Sequence, residues 1–224
     1  MNLTALLERI RTLPDYQKLL QRLLVGDPIF GSLNIPRSVR TALIAALADG
    51  LRKTFIILVS RADRMLTISE EIAAWCPSIE ILTFPDPNPV FYELSQWSDR
   101  TIHRRLTVLA TLTKKQHADQ EQSAISSKPL VVLATAGAVM TRTLSPQSFL
   151  ENTIWIEVND SYNLDQLARH LLNVGYTHES LVTQPGQFSR RGGIIDLWAP
   201  AETLPIRIEF FGNQIEYIRM FNPS

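Results

Sequence analysis

Cysteine is nearly missing: Cys76 stands alone in 224 residues, so no internal disulfide can form and neither a thiolate metal cluster nor an oxidising compartment is implied. Charge of one sign is missing too. Twenty-two Lys and Arg balance 22 Asp and Glu, which excludes a polybasic nucleic-acid coat and a disordered tail held open by like charge. Nine glycines fall far short of a collagen repeat. No apolar run approaches roughly eighteen uncharged residues, and Glu8, Arg9 and Arg11 interrupt the start before a signal-length apolar stretch, so the chain reads as cytoplasmic, with no membrane contact. What remains is an ordinary globular composition, 45% hydrophobic and 20% charged, in a chain long enough to bury roughly 70% of its unfolded surface.

The neutral total hides a split. Residues 1 to 150 carry 17 basic against 13 acidic side chains, and residues 151 to 224 carry 5 against 9, about +4 followed by −4. The hydrophobic pattern divides in the same region. Leu3, Leu6, Leu7 and Ile10, then Leu19, Leu20, Leu23 and Leu24, give two helical pieces broken at Leu13-Pro14. A helix with Val39, Leu43, Ile44, Ala46 and Leu47 on one side ends near Gly50. The run Phe55 to Val59 reads as a strand buried on both faces, and a helix over 61–75 and a strand over 79–84 follow in α/β rhythm. A helix over 101–112 precedes a polar stretch, 116–128, expected to be a loop. A second buried strand, Leu130 to Thr135, leads into a short helix at Ala136-Gly137-Ala138.

After Ser145-Pro146 the grammar shifts toward strands. Thr153 to Val158 alternates as a half-exposed strand should, Asn163 to Asn173 is helical, and strands are expected at Leu181-Val182, Gly193 to Trp198, Ile206 to Phe211 and Gln214 to Met220. Gly212-Asn213 fits a two-residue hairpin turn, with Phe210 facing Ile215, Ile208 facing Tyr217 and Glu209 opposing Glu216.

Enzymatic signatures fail on inspection. Gly26 to Gly31 has the glycine spacing of a phosphate loop, but Ser32-Leu33 stands where Lys and Ser/Thr belong, and Asn34 to Thr41 ahead of the next helix has neither glycine nor lysine. His103, His117, His170 and His178 form no short-spaced ligand pair, so no metal or cofactor is expected. No nucleophile elbow is present, and Cys76 before Pro77 reads as a small core residue.

One segment is distinctive: Pro185-Gly186-Gln187-Phe188-Ser189-Arg190-Arg191-Gly192-Gly193-Ile194-Ile195-Asp196-Leu197-Trp198, continued by Pro205-Ile206-Arg207-Ile208-Glu209-Phe210-Phe211-Gly212-Asn213-Gln214-Ile215-Glu216. It resembles the N-terminal module of the bacterial transcription-repair coupling factor (Mfd) family, a region shared with the UvrB subunit of the UvrABC excinuclease. The resemblance extends back through Gly175-Tyr176, Thr141 to Pro146, and Phe84-Pro85-Asp86 with Tyr92 and Leu94-Ser95, covering the chain from about residue 36 onward. It implies an incomplete motor-like α/β domain of RecA or P-loop type with a parallel sheet, 1–136, and a smaller α+β domain, 137–224, that docks UvrA and ends in a β-hairpin. It further implies a non-catalytic adaptor. RNA polymerase and DNA would be met only through parts of the longer family members absent from these residues.

By this resemblance the partner-binding residues are Arg191, Phe188, Arg190, Tyr176, His178 and Arg169, with Gly192, Gly193 and Gly212 forming turns. Two guanidinium groups beside a glycine turn suit bidentate contact with carboxylates. Adjacent strand residues point to opposite faces, so one arginine is expected to meet the partner, with Arg191 favoured, while the other is solvated or paired internally. Phe188 reads equally as an aromatic anchor or as core. A competing reading, a helicase-derived DNA-binding domain, rests on Arg37, Arg40, Arg61 and Arg64 near two helix starts.

Overall fold

The computed structural model describes residues 3–29, 31, 33–87, 97–120 and 128–223. The expected positions Ser32, Tyr92, Leu94 and Ser95, and 121–127 of the expected loop, lie outside them. The chain forms two compact units, one made of residues 1–101 and 115–142 and the other of 102–114 and 143–224. Both mix helices and strands, each around its own sheet.

In the first unit, Pro14 ends the run of helix α1 (Thr4–Arg11) and starts α2 (Pro14–Val25): Leu13 before it is extended, as steric pressure from a following proline requires. Helix α3 (Arg37–Leu51) buries Ala42, Ala45, Ala46 and Ala48, with Leu47. The expected stripe is therefore corrected at Val39, which is exposed; the small alanines rather than the branched end residue make the close-packed face. Strand β1 (Thr54–Val59), helix α4 (Asp63–Trp75), strand β2 (Glu80–Phe84), helix α5 (Asp99–Gln120), strand β3 (Leu130–Thr135) and helix α6 (Ala136–Met140) follow, with residues 102–114 of α5 counted in the second unit. The sheet is parallel, in the order β1-β3-β2. Its central strand β3 is buried at every residue.

Edge strand β1 is not. Phe55, Ile57 and Val59 pack with α-helical residues such as Ala45, Ile68 and Ile72, but Ile56 and Leu58 on the other face are 61% and 59% exposed. The expectation of a strand buried on both faces thus holds for β3 and fails for β1. The expected loop also needs correction, because α5 continues through residues 116–120.

The second unit contains helix α7 (Pro146–Glu151), helix α8 (Leu164–Asn173) and a five-stranded sheet ordered β4-β5-β6-β7-β8. The strands are β4 (Thr177–His178), β5 (Gln187–Arg191), β6 (Ile194–Leu197), β7 (Ile206–Phe211) and β8 (Gln214–Met220). Only the β4–β5 pair is parallel. Asn163 starts α8 by accepting hydrogen bonds from the backbone N–H groups of Asp165 and Gln166 at 3.0 and 3.1 Å, the usual N-cap device. Leu167 and Leu171, one turn apart on α8, pack with Phe188, Ile195, Leu197, Ile208 and Ile215 of the sheet.

Three strand expectations change. Residues 153–158 form no ladder, although Ile154 and Ile156 do pack on the core while Trp155 and Glu157 point outward. Leu181-Val182 is not a strand; β4 lies at Thr177–His178 instead. The last hairpin turns at Gly212-Asn213 and keeps Phe210 opposite Ile215, but an irregularity between Glu209 and Phe210 shifts the rest, so Ile208 faces Ile218 and Glu209 faces Tyr217. The shift separates Glu209 from Glu216. It also lets Glu209 pair with Arg219 and Ile208 stay fully buried.

Candidate functional site

The β5–β6 hairpin carries the two arginines at the end of β5. Gly192 occupies the left-handed region with φ 59°, which lets two residues reverse the chain. Gly193 is needed for a different reason. A Cβ there would stand 3.0 Å from the backbone oxygen of Phe210, and the Gly193 carbonyl accepts the Phe210 N–H at 2.8 Å, so β7 lies against the turn. Gly212 turns the second hairpin with φ 64°.

Alternation along β5 sorts its side chains. Phe188 and Arg190 share the face that packs on α8; Ser189 and Arg191 share the other. Phe188 is 1% exposed in the core, so its reading as an aromatic anchor for a partner is corrected: the strand turns it under α8. His178, its neighbour on β4, is exposed and meets the Phe188 ring edge-on, with centroids 5.1 Å apart. Tyr176 is half-buried against the same core, and burial pushes its phenol up to about 12.

Arg190 reaches Asp165 in the first turn of α8, Nη1 donating to Oδ1 at 2.5 Å. This hydrogen bond and the arginine charge hold the Asp165 carboxyl below its ordinary value, and Arg169, one turn along and exposed, adds to the effect. Arg190, Asp165 and Arg169 therefore form one group on the helix side of the sheet. Arg191 stands on the opposite side. Its Nη2 donates to the Ser180 carbonyl at 2.5 Å, and among the described residues it forms no ion pair.

The face that Arg191 shares is ordered by groups the sequence motif did not single out. The segment after β4 crosses it: Ser189 Oγ donates to the Ser180 carbonyl at 3.2 Å, and Val182 is buried. Arg207 holds the buried Asp196 with two hydrogen bonds, 2.7 and 2.8 Å, and lies 5.3 Å from the Phe221 ring centre. Across the sheet, Arg191, Ile194, Glu209 and Tyr217 stand in one row, and Glu209 is taken by Arg219. The Asp196–Arg207 partnership was legible only as two polar residues in alternating strands; the register that joins them was not. Among the described residues no cluster of His, Cys, Asp and Glu could hold a metal ion, and no helix is long and apolar enough to cross a membrane.

This two-hairpin sheet lies wholly within residues 154–224, the stretch that matches the UvrB interaction domain family. Over 223 residues, 98% of the chain, it is 28% identical to the transcription-repair-coupling factor of Mycobacterium bovis, and over 186 residues, 83% of the chain, 28% identical to that of Bacillus subtilis. Identity rises to 43% with the Myxococcus xanthus coupling factor over 69 residues, 31% of the chain. The chain spans 17%, 15% and 6% of these relatives' lengths, respectively. The resemblance of the Arg-Gly-Gly and Phe-Phe-Gly-Asn segments to a coupling-factor module is borne out by these matches.

Proposed function

We propose that this chain is a non-catalytic adaptor of nucleotide excision repair that recruits UvrA by presenting the surface UvrB presents. The UvrB interaction domain match and the coupling-factor relatives support a role in UvrA-linked repair. The observation that carries the finer reading is the unequal state of the two arginines. Arg190 is already neutralised by Asp165, whereas Arg191 offers an exposed guanidinium that donates to an uncharged carbonyl and, among the described residues, forms no ion pair. A carboxylate on UvrA gains a charge-assisted, bidentate partner at Arg191 without breaking an ion pair.

In this reading Arg191 makes the contact from the face opposite α8, Arg169 and His178 offer a separate contact from the helix side, Tyr176 and the glycines fix the backbone of the hairpin, and Arg190 positions α8 against it. The three-stranded parallel sheet, order β1-β3-β2, is the incomplete motor-like domain; with Ser32-Leu33 in place of a phosphate-loop Lys and hydroxyl, no nucleotide turnover is assigned to it. DNA and RNA polymerase are reached through other regions of the full-length relatives.

Calorimetric titration of UvrA with the chain, without nucleotide, tests the proposal. The expected result is a complex weakened at least about tenfold by Arg191→Ala, roughly the loss of one charge-assisted contact, with an unchanged circular dichroism spectrum. Equal affinity of variant and parent overturns the role of Arg191.

A further inference from the structure

The first unit contains a cavity of about 780 Å³ between the N-terminal turn of α3, the end of β1 and helix α4. We infer that it is a binding site for a phosphate-bearing ligand. Arg37 and Arg40 line it from α3 and Arg64 from α4, joined by the hydroxyl residues Ser38, Thr41, Ser60 and Thr67. Its one acidic lining residue is Glu71. Among the described residues neither Arg37 nor Arg64 has a carboxylate partner, and Arg40 uses only its Nε, which donates to the Ile35 carbonyl at 3.3 Å. Arg61, by contrast, is paired with Asp63 at 2.9 Å and takes no part.

Three exposed guanidinium groups lining one cavity concentrate positive charge there, and the planar fork of arginine matches phosphate oxygens in pairs. Of the hydroxyl residues, Ser38, Ser60 and Thr67 are exposed and add neutral donors to the lining. The remaining walls, Ile44, Ile57, Ile68 and Trp75, are apolar, so the cavity pairs a cationic rim with a surface on which a base or sugar can rest. Its size falls in the usual range of small-ligand sites. Two sources carry this chemistry, a nucleoside triphosphate and the backbone of a nucleic-acid strand. The site holds the ligand without hydrolysing it, since neither a glycine-rich loop nor a lysine lies at the start of α3.

The test uses the full chain and two fluorescent probes, a labelled ATP analogue and a labelled single-stranded DNA of about twelve nucleotides, titrated by anisotropy at low and moderate salt. At least one probe is expected to bind, more weakly as salt rises, and the one that does assigns the source. The double substitution R37E/R64E, at two exposed positions, is expected to weaken that binding at least tenfold, while R142E, outside the cavity, leaves it within twofold. No binding of either probe at millimolar protein, or R37E/R64E binding within twofold of the parent, overturns the inference. Because the substitutions leave Arg191 untouched, UvrA titration of the same variant separates a failure here from a failure of the adaptor reading.

Discussion

In the parallel sheet of the first unit, β3 is buried on both faces while its neighbour β1, equally apolar in sequence, shows Ile56 and Leu58 to solvent. In the antiparallel sheet of the second unit, one face packs on Leu167 and Leu171 of α8, and the other is built from ion pairs, Asp196 with Arg207 and Glu209 with Arg219. An apolar strand needs a layer on each side to be buried, and strand position in the sheet decides whether it gets one. A sheet face whose charges are already paired needs no such layer. Among the described residues Arg191 stands on this face without an ion pair.

The largest effects should come from the buried rows common to both sheets. Leu133→Ala in β3 and Ile195→Ala in β6, both fully buried, should each cost about 2–5 kcal/mol in urea unfolding. Leu58→Ala, on the exposed face of β1, should stay within about 1 kcal/mol. If Leu58→Ala costs as much as Leu133→Ala, the contrast between edge and centre is wrong.

Next in size is the ionic side of the second sheet. Asp196→Ala removes the acceptor of two hydrogen bonds and should destabilise by about 1.5–3 kcal/mol, whereas Glu209→Ala, at a more exposed pair, should cost under about 1 kcal/mol. A double-mutant cycle of Asp196 with Arg207 showing no coupling would remove the pair from the account of that face.

A smaller, pH-dependent effect separates the half-buried rim from both sheets. The Tyr176 phenol ionises near 10 in the unfolded chain and is pushed up to about 12 by burial in the folded one. The folded state then binds more protons between these values, so the stability this group contributes is complete below pH 10 and lost as pH rises toward 12. Tyr176→Phe should flatten that part of the pH–stability curve. An unchanged alkaline slope would show that burial of this phenol does not govern it. Asp165 acts in the opposite sense, its contribution present above the ordinary carboxylate range and lost as acid protonates it.

Much of the fold was legible because its signals are local. Leu13-Pro14 marked a helix break, Asn163 a helix start, Gly212-Asn213 a reversal, and the branched run Leu130 to Thr135 a central strand. What escaped the sequence depends on contacts between distant residues. The exposure of Ile56 and Leu58 follows from sheet order, and the displacement of Glu209 from Glu216 from a one-residue irregularity that local pattern does not encode. The candidate site was half legible: the Arg-Gly-Gly motif marked the hairpin, and alternation divided its two arginines. Phe188 fell to the core and Asp165 emerged as the partner of Arg190 only once α8 had been laid across the sheet.

Amide hydrogen exchange of the chain with and without UvrA puts the adaptor reading to its most direct trial. Slowed exchange concentrated in residues 176–194, absent when Arg191→Glu is used, is the predicted result. Protection confined to residues 1–101, or a footprint on the hairpin that Arg191→Glu leaves intact, would contradict it.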